Sequence, residues 1–389
     1  MITCPECKSE EIQKNGVVIR TVMTVKGKRR KRVQTYRCEN NHFFRVGEIP
    51  KWDDTFIERV VFIYLQCLSL NTTITIVREL YEQDVLTKGL ILDFIEGVAD
   101  ALPSLDEIDY LYYPRRSGYL AFDGVWFQFG AGQIVLLIAF DPETFDIVGA
   151  HFAEDETEKT YEAVITQAVN KMGAVNVKGV YADGDNGFLA AWKKLLPTVP
   201  FQLCVFHKEL RMGQFIPVKS VRRSRQMTPQ TKHDIKVFQL LFREVIYGKT
   251  KDESVAALER LKRYVESETH EQTERFLKAY RSLIKNFKYT LTHFEHVHMR
   301  RDNNLLECFN GCLKPRLKLM KGFKKKENLD RYLKLFLLEF RFHPLKESTF
   351  KERNGNSPLE IADASLPKFY NFLSFLRTEL HLSYQPKIS

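Results

Sequence analysis

The segment "VKGVYADGDNGFLAAWKKLLPTVPFQLCVFH" runs from Val177 to His207, and its reading decides the fold. An apolar, β-branched run ends on two acids, Asp183 and Asp185. "NGFLAAWKKLL" follows with apolar residues at helical spacing, and a second apolar run, "FQLCVF", leads to Cys204 and His207, three residues apart. The pattern is strand, helix, strand. The acids at its first corner can be an active site, part of a metal cage shared with the Cys and His, or an ordinary polar turn.

Upstream, "GYLAFDG" (118–124), "QIVLLIAF" (133–140) and "DIVGAHF" (146–152) are three runs of β-formers joined by short turns. The amphipathic stretch "ETEKTYEAVITQAVNKMG" (156–173) follows them. The resulting order, β-β-β-α-β-α-β, predicts an α/β catalytic domain of RNase H-like type, with its first part over 116–207. Such a fold sets a prior and not a function. Residues 208–300 read as an all-helical insertion, with apolar positions at i, i+3, i+4 and i+7 in "DIKVFQLLFREVIYG" and two further segments. The core resumes over 301–345 and leaves a tail at 346–389.

Residues 1–48 read as a small zinc ribbon. "CPEC" sets Cys4 and Cys7 on one tight turn, and "YRCENNHFF" offers Cys38 and His42. Two pairs of soft ligands suit one tetrahedral Zn2+. The stretch between them has the pattern of a hairpin with a Gly-containing basic tip. So small a unit buries little apolar area alone, so a metal staple is physically reasonable. The other reading is two reactive cysteines on a flexible tail. Residues 53–105 predict short helices, one N-capped at Asn71, compatible with a helix-turn-helix DNA-binding region or a plain helical linker domain.

The 389-residue chain carries 59 Lys and Arg against 49 Asp and Glu, a net charge of +10. The excess gathers at 26–32, 219–225 and 314–326, which favours a polyanionic partner over solvated surface. Lys28, Arg29, Arg30, Lys31 and Arg32 form the densest run. The start shows no apolar signal-peptide core, and no stretch approaches a membrane span. Seven scattered cysteines make no disulfide scaffold, so a reducing cytoplasm is expected.

Asp123 and Asp183 each end a strand in this reading, and the first and fourth strands of such a sheet are neighbours. Two carboxylates side by side repel unless a divalent cation offsets them. The alternative is two aspartates in Asp-Gly turns. In "DNNLLECFNGCLK" (302–314), turning each residue by about 100° sets Asn303, Glu307, Asn310 and Lys314 on one stripe. Leu306, Phe309, Leu313 and Leu317 form the opposite face. Glu307 is the acid of the polar stripe, and Gly311 and Pro315 predict a kink or an early end.

These pieces together, "FDG", "ADGDNGF", P-x4-Q-x-C-x2-H from Pro197 to His207, and "NNLLECFNGCLKPRLK" through "KGF", resemble a DDE-type transposase of the Mutator-like group, as found in prokaryotic insertion sequences. The resemblance spans most of the chain. It departs where "CENNH" replaces a second C-x2-C and where Pro315 interrupts the last helix. It implies Asp123, Asp183 and Glu307 as catalytic acids holding two Mg2+ (or Mn2+) ions about 3.5–4 Å apart, and Asp185 as a turn residue. It implies a structural or DNA-contacting role for Cys204 and His207, in preference to zinc. It implies DNA contacts by Asn303, Asn310, Lys314, Arg316 and Lys318. Its partners would be transposon ends and target DNA, handled by a homodimer or larger assembly, without a membrane, in the cytoplasm near the nucleoid. Other readings are a transposase-derived DNA-binding protein without activity and an RNase H-like nuclease.

Overall fold

The computed structural model of the protein describes residues 2–46, 51–66, 68–82, 86–216, 227–267, 272–319, 325–368 and 370–383. The basic cluster at 219–225, Cys67 and the "KGF" of the last motif lie outside the described residues. The chain divides into two compact units, Met1–Pro114 with Pro315–Ser389, and Arg115–Lys314.

The first unit opens with a three-stranded antiparallel sheet, β1 (Ile12–Thr24), β2 (Gly27–Cys38) and β3 (Phe43–Arg45). The turn between β1 and β2 holds Val25 and Lys26, and Gly27 closes it at φ +96°. Lys28–Arg32 therefore lie along β2 and not at the hairpin tip, with Arg32 opposite Ile19 and Lys28 opposite Met23. Helices α1 (Asp54–Leu65), α2 (Leu70–Tyr81), α3 (Lys88–Ala101) and α4 (Leu105–Tyr112) follow. Asp53 caps α1, its side chain accepting the N–H of Phe56. The cap of α2 is Ser69 and not Asn71, because the hydroxyl of Ser69 accepts the N–H of Thr72 and the helix begins two residues earlier. Trp52, Phe56 and Phe94 pack ring on ring beneath α1 and α3.

The second unit holds a five-stranded sheet of β4 (Tyr119–Phe129), β5 (Gly132–Asp141), β6 (Asp146–Ala153), β7 (Gly179–Ala182) and β8 (Phe201–Leu203), in the order β6-β5-β4-β7-β8. β4, β5 and β6 are antiparallel, and β7 and β8 add in parallel. The first and fourth of these strands are neighbours, as the order of elements predicts. Helices α5 (Glu158–Met172) and α6 (Asn186–Leu195) cover one face, with Leu120, Phe122, Leu137, Val164, Phe188 and Trp192 in the core between. Helices α7 (Val205–Phe215), α8 (Pro229–Tyr247), α9 (Lys251–Glu266) and α10 (Thr273–Ile284) build a separate core around Phe238, Phe242, Leu261 and Phe276. A short α11 (Thr292–Glu295) precedes α12 (Asn304–Leu319). Leu306, Phe309 and Leu313 are fully buried on α12, the apolar face that the periodicity predicts. The helix runs on through Pro315 rather than ending there.

The chain returns to the first unit with α13 (Lys326–Phe342), α14 (Pro358–Ile361) and α15 (Phe372–Ser383). α13 is buried along most of its length, which includes Glu339 and Arg341. Among the described residues, no helix is long and apolar enough to cross a membrane.

Candidate active site

The parallel register pairs Ala121 of β4 with Tyr181 of β7. Two residues further along each strand bring Asp123 level with Asp183. Asp123 does not close its strand: it pairs with Ile138 and β4 continues to Phe129. The reason is that β7 stops at Ala182 while the hairpin partner β5 goes on satisfying the backbone of β4 on the other side. Gly124 is thus a mid-strand residue and not the second half of an Asp-Gly turn. At Asp183 the turn is real. Gly184 takes φ +83°, and Asp185 caps α6 by accepting the N–H of Gly187 at 2.7 Å. The carboxylate of Asp183 accepts the N–H of Asp185 at 3.0 Å.

Strand alternation turns Phe122 into the core with α5 and α6 and aims Asp123 at the other face, where α12 lies. There Asn310 donates its amide N–H to Oδ2 of Asp123 at 2.6 Å. Asn303 donates to the carbonyl of Phe122 at 3.3 Å. Both asparagines are buried, so they tie α12 to β4, and the contacts described for them are internal rather than with solvent.

Cys204 is buried at the start of α7, and its sulfur accepts the N–H of Asn303 at 3.2 Å. His207, on the first turn of α7, places Nε2 at 3.1 Å from Oε1 of Glu307. The pair thus anchors the start of α12 and faces its acid. One ligand atom each from Asp123, His207 and Glu307 lies within 4.8 Å of the others. Asp183 stands outside that trio and is held by Arg211, whose Nη2 is 3.3 Å from its Oδ2. Arg211 escaped the sequence reading. Its signal is the i, i+4 spacing from His207, which sets both on one face of α7.

Burial, and next the charge of Glu307, push the carboxyl of Asp123 up to about 7. Glu307 moves the other way, chiefly through its hydrogen bond with His207. Burial works against protonation of His207, but Cys204 and Glu307 outweigh it and raise the imidazole to about 11. The site therefore crowds carboxylates around one internal cation. Oxygen donors suit a hard divalent ion, and Oδ1 of Asn310 is buried with no hydrogen-bond partner among the described residues. The acids fit Mg2+ or Mn2+ at this place.

Of the expected basic contacts, Lys28–Arg32, Lys314 and Lys318 are exposed. Lys314 reaches to 3.9 Å from Glu307. Arg316 is largely covered instead, ion-paired with Glu339 at 3.4 Å and seated over the ring of Phe336.

The first unit carries a second cluster. Ligand atoms of Cys4, Cys7, Cys38 and His42 lie within 4.8 Å of one another. The separations are 3.7 Å for Cys4–His42, 3.7 Å for Cys7–Cys38 and 3.5 Å for Cys38–His42. A tetrahedron with Zn–S bonds of about 2.3 Å has edges of about 3.8 Å, so the four are compatible with zinc. Nδ1 of His42 faces the sulfurs, while Nε2 lies 3.4 Å from Glu6, the usual second partner of a ligating imidazole. The side chain of Asn40 and the backbone of Ser9 lower the Cys7 thiol to about 6, towards the thiolate a metal needs.

No curated protein matches the chain. The model of the family described as "Transposase, Mutator family" matches residues 6–343, which take in Asp123, Asp183, His207 and Glu307, every element of the five-stranded sheet, and Cys7, Cys38 and His42 of the second cluster but not Cys4. The chain belongs to the Mutator family of transposases.

Proposed function

We propose that this transposase cuts and joins DNA at the terminal inverted repeats of its element by a DDE mechanism, with Asp123, Asp183 and Glu307 as the catalytic acids. The carrying observation is that Asp123 and Glu307, far apart in sequence, converge beside His207, with Asp183 just past the end of the neighbouring strand β7. The strand order, with the first and fourth strands adjacent, supports reading the sheet as RNase H-like. Bound divalent ions would supply charge neutralisation and an activated oxygen nucleophile for in-line attack on phosphorus.

The chain's own residues do the placing. Asn310 fixes one oxygen of Asp123, and the carboxyl of Asp123 also shares a hydrogen bond with Glu307, the contact a cation between them would replace. His207 holds Glu307 against α7. Arg211 and Lys314 stand beside the acids, where their charge can meet a phosphate oxygen. No covalent intermediate with the protein is needed. The Cys3His cluster folds the N-terminal sheet as a zinc ribbon, and β2 offers its exposed cations to the DNA backbone. Phosphate contacts position the duplex and carry no sequence information, so end recognition falls to other residues of the first unit, with 53–105 as a helix-turn-helix. A homodimer or larger assembly would hold both ends.

The test is cleavage and strand transfer on the element's own ends with Mg2+. Asp123→Asn and Glu307→Gln should each lower cleavage by several orders of magnitude while DNA binding persists. Full cleavage by both variants would overturn the assignment of these acids, and absence of cleavage by the wild-type protein would leave a transposase-derived DNA-binding protein as the reading.

A further inference from the structure

Two of the three tryptophans are buried, Trp52 and Trp192, whereas Trp126 is 44% exposed. Trp126 lies on β4 three residues beyond Asp123, about 10 Å along the strand at the usual rise, and alternation sets it on the face of Phe122 and Gly124, opposite that of Asp123. An exposed indole on a hairpin ordinarily turns freely. This one does not, because its Nε1–H donates to Oε2 of Glu156 at 2.9 Å. The other oxygen of Glu156 accepts the hydroxyl of Tyr161 at 3.0 Å, and Tyr161 is buried.

The carboxylate of Glu156 is itself fitted into place. A Cβ on Gly124 would collide with Oε1 of Glu156. A Cβ on Gly187, in the first turn of α6, would meet the Glu156 carbonyl at 2.5 Å. A side chain at 124 would displace the Glu156 carboxylate and press on Val135 at 2.9 Å, so glycine lets Glu156 lie here by close approach and not by backbone conformation. The same assembly borders the second candidate acid. The Tyr161 hydroxyl is pushed up by burial first, then by the charges of Glu156, Asp183 and Asp185.

We propose that Trp126, held by Glu156, is a stacking platform for an unpaired base of the DNA strand whose phosphate lies at the candidate acids. This rests on the DNA-cleaving reading above. An exposed, immobilised ring loses little freedom on stacking, and every base offers a π face. β7 stops at Ala182 and leaves that edge of β4 open, so a strand with a phosphate at Asp183 would reach Trp126 round the edge, past Tyr161 and Glu156, and not along the face of Asp123. Glu156 acts through Trp126 and is a positioning residue.

The experiment uses the full chain and a short single-stranded oligonucleotide in Mg2+-free buffer, read by tryptophan fluorescence and by affinity over a range of salt. DNA should quench the emission of the wild-type protein, and Trp126→Phe should lose that quench and weaken binding in the same sense as Glu156→Ala, because phenylalanine has no N–H for Glu156 to hold. Trp126→Ala should weaken binding roughly 5- to 150-fold, the range for one stacked base, with the salt slope unchanged because no phosphate contact is lost. Glu156→Ala should weaken binding in the same sense, and Glu156→Gln, whose amide oxygen still accepts the indole N–H, should not. Trp126→Phe serves as the deciding variant where Trp126→Ala fails to fold. Unchanged quenching in Trp126→Phe, or wild-type affinity in folded Trp126→Ala, overturns the platform. So does loss of cleavage in Glu156→Gln with binding intact, which would make Glu156 a further metal ligand. If the wild-type chain binds no DNA, the transposase mechanism falls as well. If it binds and cleaves DNA and only the Trp126 results fail, the platform alone falls.

Discussion

Nε2 of His207 lies 3.1 Å from Oε1 of Glu307, and the protonated imidazole is the one internal cation among the trio it forms with Asp123 and Glu307. Its removal has two opposed effects. Glu307 loses the partner that orients it, and losses of this kind typically cost about 10–100-fold in activity. The carboxylates also lose a competing positive charge and should attract a divalent ion more strongly. His207→Ala should therefore lower the cleavage rate while the Mg2+ concentration for half-maximal rate falls. A titration of rate against Mg2+ checks both. A raised half-maximal concentration would mean that His207 itself helps to hold the ion.

Asp183 and Asp185 should separate cleanly. Asp183→Asn removes a charge beside Asp123, and cleavage should drop by several orders of magnitude. Asp185 is occupied as the cap of α6, and an asparagine caps as well. Asp185→Asn should cleave near normally, and Asp185→Ala should cost about 1 kcal/mol of stability in a denaturant melt. The reverse pattern would move the catalytic assignment two residues along.

Zinc removal should unfold the N-terminal sheet and leave the second unit standing. Purified protein should carry one tightly held zinc, released by Cys4→Ser or Cys38→Ser. Limited proteolysis should then cut within β1 and β2 first, because binding and folding are coupled in so small a unit. Metal analysis of fully reduced protein that finds no zinc would refute this.

Neutralising Lys28, Arg29, Arg30, Lys31 and Arg32 together should flatten the dependence of log affinity on log salt. Each lost phosphate contact lowers the slope by about 0.9 on duplex DNA. Binding isotherms at several salt concentrations read it directly, and an unchanged slope would make the run solvated surface.

Lys208 is nearly buried, and its ammonium donates to the carbonyls of Ser282 at 2.7 Å and Lys285 at 2.6 Å, joining α7 to the end of α10. Lys208→Met strands both carbonyls and should cost about 1–3 kcal/mol at neutral pH. Burial lowers this lysine to about 8 from its usual 10.5. Between those values the unfolded chain binds the extra proton, so the lysine's contribution to stability rises with pH. The gap between the wild-type protein and Lys208→Met should widen from pH 8 to 10.5 in paired thermal melts.

The sequence by itself determined the elements and the family resemblance. Runs of β-formers specify β4–β8, helical spacing specifies α5 and α6, and the apolar stripe of α12 follows from a 3.6-residue period. The spacing of Cys4, Cys7, Cys38 and His42 announced its cluster because tetrahedral ligation constrains local chain geometry. What pairs across long separations was decided only by tertiary structure. Asp123 reads as the end of a strand, since Asp-Gly is a common corner, yet β5 keeps β4 extended beyond it. Asn303 and Asn310 read as DNA contacts because polar side chains on a helix normally face water. Packing against β4 buries them, and the backbone and Asp123 then become their partners. Glu156 carries no local signal at all. Its place against Gly124 and Trp126 depends on how the turn after β6 lies over β4, which is a matter of packing between segments and not of any one segment's own pattern.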